Sequence, residues 1–217
     1  MNRNLKPALA ELIGTFTLTF IGAGAGALAG TSGGGIIAVA LAHGVALMVI
    51  VYTWGAISGA HVNPAVTFGL ALAGKMDWVK AVWYWIAQLV GAALAAYLLA
   101  YLVGVSTGLG ATTGSLTSAD PVKTIVVEAV LTFFLVAAVF GTAVMGRNGN
   151  AAGLAIGFVL TMDILMGGAL TGASMNPART FGPALAAGDL SYFWMYVVGP
   201  LAGGAIAALL WDRYFAK

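Results

Sequence analysis

Residues 58–67 read Ser-Gly-Ala-His-Val-Asn-Pro-Ala-Val-Thr, and residues 172–183 read Gly-Ala-Ser-Met-Asn-Pro-Ala-Arg-Thr-Phe-Gly-Pro. Asn63-Pro64-Ala65 and Asn176-Pro177-Ala178 are the same tripeptide, about 113 positions apart in a chain of 217. Each follows a long apolar stretch. One copy alone would be a helix start, with asparagine as N-cap and proline at the first helical position. Two copies, each with similar flanks, imply a duplicated unit with one special backbone feature per half.

The composition sets where that unit lives. Hydrophobic residues are 61% of the chain and charged residues 7%, against roughly a quarter charged in soluble domains. A membrane protein follows. The net charge of +2 is too small and too scattered for nucleic acid. The chain has no cysteine and two histidines, so no metal site and no cofactor are expected. Its 31 glycines are about twice the usual share and suit close helix packing in lipid.

A bilayer needs about 20 apolar residues per helix. Six stretches qualify, at about 8–29, 36–57, 79–103, 121–144, 151–170 and 191–212. Two shorter ones, about 64–73 and 177–187, cannot cross. Asp77 and Asp120, the latter followed by Pro121, are expected to cap the third and fourth spans. The basic residues Arg3, Lys6, Lys75, Lys80, Arg147, Arg213 and Lys217 fall on one side, leaving Lys123 on the other. By the positive-inside rule both termini are expected to be cytoplasmic. The short termini and compact loops suggest a prokaryotic plasma membrane.

Other landmarks also recur. Glu11-x-x-x-Thr15-Phe16 returns as Glu128-x-x-x-Thr132-Phe133, and Tyr84…Gly91-Ala92 as Tyr196…Gly203-Gly204. The chain reads as one all-α transmembrane domain over 1–217, built of two repeats, 1–110 and 111–217. Each repeat holds three crossings and one half-length segment. Three is odd, so the second copy is inverted.

A ten-residue helix is about 15 Å long, half of a hydrocarbon core of about 30 Å. Two such helices entering from opposite faces meet at the midplane. Their asparagines would cap them and turn amide N–H donors outward. The segments leading in, marked by Gly55, Gly59, Gly167, Gly168 and Gly172, leave carbonyls free. Backbone in that state is tolerated at this depth only in protein or along a watery cavity. A row of acceptors ending at two donors is a path for small polar neutral molecules.

These motifs resemble those of the aquaporin family (major intrinsic proteins), and the resemblance covers the whole chain. It implies a channel for water and small neutral solutes that excludes protons and ions. The positive ends of half-helices are the established barrier in aquaporin-type pores. The resemblance also implies a homotetramer, and an aromatic/arginine constriction on the outer side of the asparagines. Carried over by spacing, that filter is His43, Ile164, Ala173 and Arg179. Strict water channels resemble Phe and His at the first two positions. The set here is closer to the tonoplast intrinsic proteins, whose filters are associated with water plus ammonia, urea or glycerol. Their outer-loop histidine is absent from residues 109–120. Thr180 and Ala184 stand where glycerol facilitators resemble Asp and Lys/Arg. Water is the expected cargo, with ammonia second and glycerol or urea as the alternative.

His61 is expected to line the path, with gating by its protonation, or by that of His43, as the alternative. Glu11 and Glu128 are intramembrane carboxylates, expected to accept from the free N–H groups of the lead-in segments rather than to relay protons. Asp163 has no assigned role. A secondary transporter also uses inverted repeats and broken helices, but no carboxylate cluster lies near Asn63 and Asn176 to hold a coupling ion. A closed-pore scaffold is the third reading. An enzyme is set aside, as no nucleophile–base pair is visible.

Overall fold

The computed structural model describes residues 3–146 and 149–215, and among these every regular element is helical. Arg147 and Lys217, two of the basic residues that set the expected orientation, lie outside the described residues. Eight α-helices follow in order: α1 Leu5–Ser32, α2 Gly35–Ser58, α3 Pro64–Leu72, α4 Trp78–Val103, α5 Pro121–Val139, α6 Ala152–Thr171, α7 Pro177–Ala187 and α8 Met195–Leu210. Wider, π-type turns carry α5 on to Val144 and α8 on to Phe215. All except α3 and α7 are long and apolar enough to cross a bilayer. At 9 and 11 residues, α3 and α7 are about 14 and 17 Å long.

Capping explains most of the boundaries. Asp77 accepts from the N–H groups of Val79 and Lys80, and Asp120 from that of Lys123. The last span starts at Met195 rather than near 191, because Leu190–Trp194 turn back on themselves, with Phe193 N bonded to Leu190 O. Gly59 and Gly172 end α2 and α6 in the left-handed conformation, at φ 93° and 85°, where a side chain is disfavoured. The other glycines expected to mark the lead-ins have a different job. Gly55, Gly167 and Gly168 lie inside helices, and a Cβ on Gly167 or Gly168 would strike Leu131 or Ile36.

Small residues let the helices touch backbone to backbone, which is how helices associate without a water-driven force. Gly91 lies against the Leu12 carbonyl on α1, Gly203 against Ala129 on α5, and Gly157 against Gly44 on α2. The outward faces carry Ile37, Val79, Val122 and Ile206, which suits lipid. Trp78, Tyr101, Trp194 and Tyr214 stand exposed near helix ends, the aromatic placement expected at the interfaces.

A cavity within the bundle

The segments 59–63 and 172–176 are rich in left-handed backbone. Ala60, Val62, Ala173 and Met175 have φ of 50°, 44°, 45° and 53°. For a β-branched residue such as Val62 this conformation is rare, and it costs about 1–3 kcal/mol. In each segment two consecutive N–H groups turn to one side, as in an anion nest. What waits there is a carboxylate. Glu11 Oε1 accepts from Ser58 Oγ (2.6 Å) and His61 N (2.9 Å), and Oε2 from Val62 N (2.6 Å) and Gln88 Nε2 (2.8 Å). Glu128 Oε1 accepts from Thr171 Oγ1 (2.7 Å) and Ser174 N (3.0 Å), and Oε2 from Met175 N (2.7 Å). Both glutamates are completely buried. Tyr84 and Tyr196 add matching bonds of 2.6 Å to the carbonyls of Ser58 and Thr171.

With the N–H groups held on the protein side, the carbonyls face the other way. Among the described residues, those of Gly59, Ala60 and His61 accept no hydrogen bond, nor do those of Gly172, Ala173 and Ser174. Asn63 and Asn176 then cap α3 and α7, accepting from Ala65 N and from Ala178 N and Arg179 N. Their amide nitrogens cross over: Asn63 Nδ2 donates to Met175 O, and Asn176 Nδ2 to Val62 O, both at 2.8 Å. This refines the sequence reading. One hydrogen of each amide ties the halves together, and the second is left over. Pro64, Ala65, Pro177 and Ala178 are buried in the first turns of the two helices.

A cavity of about 320 Å³ runs along these groups. One end is marked by Lys75, Ala143 and Val144, on the face that bears both chain ends. It passes His61, Asn63 and Asn176, with Leu18, Val66, Leu135 and Leu160 as apolar wall, and ends at His43 and Arg179. Lys75 is held at the mouth by an ion pair of 2.8 Å to Asp212.

The Arg179 guanidinium is 5% exposed. Its Nε donates to His43 Nε2 (3.2 Å) and its Nη1 to the carbonyl of Gly110 (2.7 Å). His43 Nδ1 lies 2.8 Å from Val39 O, which can only accept, so this nitrogen carries the hydrogen and Nε2 is free to accept from the arginine. The ring is the neutral Nδ1–H tautomer. Ile164 and Ala173 are also buried, at 2% each, but they are not among the residues that line the cavity. His61 shares a hydrogen bond of 3.0 Å with Thr67. Asp163 is 1% exposed and its Oδ2 has no partner.

Several participants escaped the sequence reading. Gln88 completes the Glu11 set, and a lone glutamine within an apolar span was the available signal. Ser58 and Thr171 bind the two glutamates at matching positions of the repeats. Thr180 receives a hydrogen bond from Thr112 of the loop after α4 (2.8 Å). Gly110 gave no signal, because its contribution is a backbone carbonyl.

A family model described as Major intrinsic protein matches residues 1–211. The chain is similar to Probable aquaporin TIP2-2 from Oryza sativa subsp. japonica, at 44% identity over 97% of this chain and 87% of that protein. Aquaporin TIP1-2 from Zea mays is 46% identical over 97% and 86%, and Aquaporin TIP2-1 from Arabidopsis thaliana 44% identical over 98% and 88%. Among solved structures, the aquaglyceroporin from Plasmodium falciparum matches with a TM-score of 0.83 at 26% identity, over 98% of this chain and 97% of that one. These relatives correct one expectation. The prokaryotic plasma membrane is overturned, because the curated relatives are plant proteins and point to a eukaryotic source. Loop length and basic residues report how a chain sits in a bilayer, not which organism's bilayer it is.

Proposed function

The chain belongs to the major intrinsic protein family and is a membrane channel for water, and we propose that the cavity between Lys75 and Arg179 is its conduit. We further read the chain as a single channel domain of two inverted repeats, 1–110 and 111–217, with no enzymatic activity. The observation that carries this reading is the crossed pair of amide bonds, Asn63 to Met175 O and Asn176 to Val62 O. It brings two helix N-termini together beside a row of unpaired carbonyls.

The proposed mechanism follows from these groups. Carbonyls of 59–61 and 172–174 replace part of the hydration of a passing water. At the midplane the remaining amide hydrogens of Asn63 and Asn176 donate to its oxygen. That water's own hydrogens then point outward in both directions, which interrupts a proton wire. Each helix N-terminus contributes about half a positive charge there, and Arg179 adds a fixed one, so cations and hydrated protons meet a barrier. No step needs a metal or cofactor. The selectivity filter is His43, Arg179, Ile164 and Ala173, with His61 lining the path on the Lys75 side and Glu11 and Glu128 holding the lead-ins.

Ammonia is the proposed second cargo. The resemblance puts Ile164, which has no donor, at a filter position where a further donor would favour water alone. The likeness to an aquaglyceroporin supports glycerol as the alternative. A homotetramer, one conduit per subunit, is the proposed assembly, and native mass measurement in detergent tests it.

Stopped-flow light scattering of proteoliposomes tests the cargo against water, ammonia, glycerol and urea. The expected result is fast water flow with a low activation energy, and ammonia flow above that of empty vesicles. His43→Phe is expected to keep water and narrow the rest. Water flow no faster than in empty vesicles overturns the reading.

A further inference from the structure

We propose that Gly22, on α1, is a positioning residue that sets the width of the conduit at His43. The inference rests on reading the cavity as the conduit. Gly22 touches neither the cavity nor a passing molecule. It lies in the interior of a 28-residue helix, where glycine costs about 0.5–1 kcal/mol relative to alanine. Its backbone is ordinary right-handed helix, so no φ value demands glycine there.

What demands it is the imidazole. A Cβ at position 22 would lie 2.3 Å from Cδ2, 2.4 Å from Nε2 and 2.7 Å from Cγ of His43. All three nearest atoms belong to that one ring, and real Cβ contacts do not occur below 3.0 Å. The space of the missing methyl is therefore the space the ring occupies. Two bonds hold the ring against α1: Nδ1–H to Val39 O on its own helix, and Nε2 from Arg179 Nε. A methyl behind the ring would force it off this seat. The open volume on its other side is the cavity that His43 lines. The arginine would lose the acceptor that helps fix its fork. Gly24, two positions on in the same buried stretch, is different. A Cβ there meets only Leu99 Cδ2 at 3.2 Å, the end of a side chain that can yield.

The test compares Gly22→Ala, Gly24→Ala, His43→Ala and the double variant Gly22→Ala/His43→Ala, each in proteoliposomes with water and ammonia, the proposed second cargo, as probes. Gly22→Ala is expected to lower ammonia flow relative to water several-fold. Gly24→Ala is expected to match the unaltered protein. The double variant is expected to return to the ammonia-to-water ratio of His43→Ala, since the obstacle has gone. If Gly22→Ala yields no folded protein and the double variant does, the conflict is with the imidazole and the proposal stands. An unchanged ratio in Gly22→Ala overturns it. So does an equal loss of water and ammonia, a double variant without rescue, or failure of both to fold. Absence of water flow in the unaltered protein would instead sink the conduit itself.

Discussion

The two lead-in segments are built on one plan and end in different chemistry. In each, a buried glutamate gathers the N–H groups of two consecutive residues, a hydroxyl from the end of the preceding helix binds the same carboxylate, and a tyrosine binds that helix's last carbonyl. The differences lie on the cavity side. His61 in the first copy corresponds to Ser174 in the second, and each bonds the threonine four residues after its asparagine, Thr67 or Thr180. Val66 corresponds to Arg179, and both line the cavity. The shared parts shape the backbone; the unshared parts set what the cavity presents. An apolar side chain faces it in one copy, and a fixed cation in the other.

The largest effect should come from breaking the shared plan. Glu11→Ala would strand the hydroxyl hydrogen of Ser58, the N–H groups of His61 and Val62, and one of the two hydrogens on Gln88 Nε2, the other being held by Thr67 Oγ1. An unsatisfied buried donor costs about 1–3 kcal/mol, against a total stability of about 5–15 kcal/mol. Little folded protein is expected on size-exclusion chromatography. Glu128→Ala strands three donors instead of four and should be the milder of the two. Equal, small losses would show that the carboxylates do not hold the backbone.

Next comes the unshared charge. Arg179→Val makes the second copy match the first. It removes two hydrogen bonds and a fixed cation from the cavity. Urea flow is expected to rise by about ten-fold or more, with a proton leak detectable by an entrapped pH dye and water flow retained. A filter that still rejects urea would place selection elsewhere.

The third test is smaller. Asn63→Ala loses a cap worth about 1 kcal/mol and the bond to Met175 O, about another 1 kcal/mol. Asn176→Ala should lose slightly more, because Asn176 caps two N–H groups rather than one. Thermal unfolding in detergent would rank them.

The smallest effect lies outside the membrane. The backbone N–H of Lys123, and then its side chain, hold the Asp120 carboxyl below its ordinary value of 3.8. A lowered value means stability present above the unfolded pKa and lost as pH falls through the folded one. The Asp120 side chain is partly exposed and screened by solvent, so Asp120→Asn should flatten the acid limb of a Tm-against-pH curve only slightly. No change would leave the cap without an electrostatic share.

The fold was legible because lipid allows few solutions. Six apolar runs and two capped half-runs leave little choice once every backbone group must be satisfied. The meeting of Asn63 and Asn176 and the role of Glu11 and Glu128 follow from that, whereas His43 and Arg179 were brought together by the family resemblance. The sequence concealed what depends on backbone atoms of distant loops. Gly110 O reaches Arg179 only because the loop after α4 folds back on α1, where a Cβ at Gly110 would strike Ala23 O. The crossed amide bonds were hidden for the same reason, since their acceptors are carbonyls. Ile164 and Ala173 were also located by likeness, and spacing alone does not tell which of the four residues line the cavity.

The crossed bonds also bear on how the protein is made. Val62 O and Asn63 Nδ2 have their partners 112 to 114 positions later in the chain. A ribosome that has delivered the first half leaves that carbonyl and amide bare in the lipid until the second half arrives. The early helices must therefore wait in the insertion machinery or hold water around these atoms, and the midplane seals only when synthesis is nearly finished.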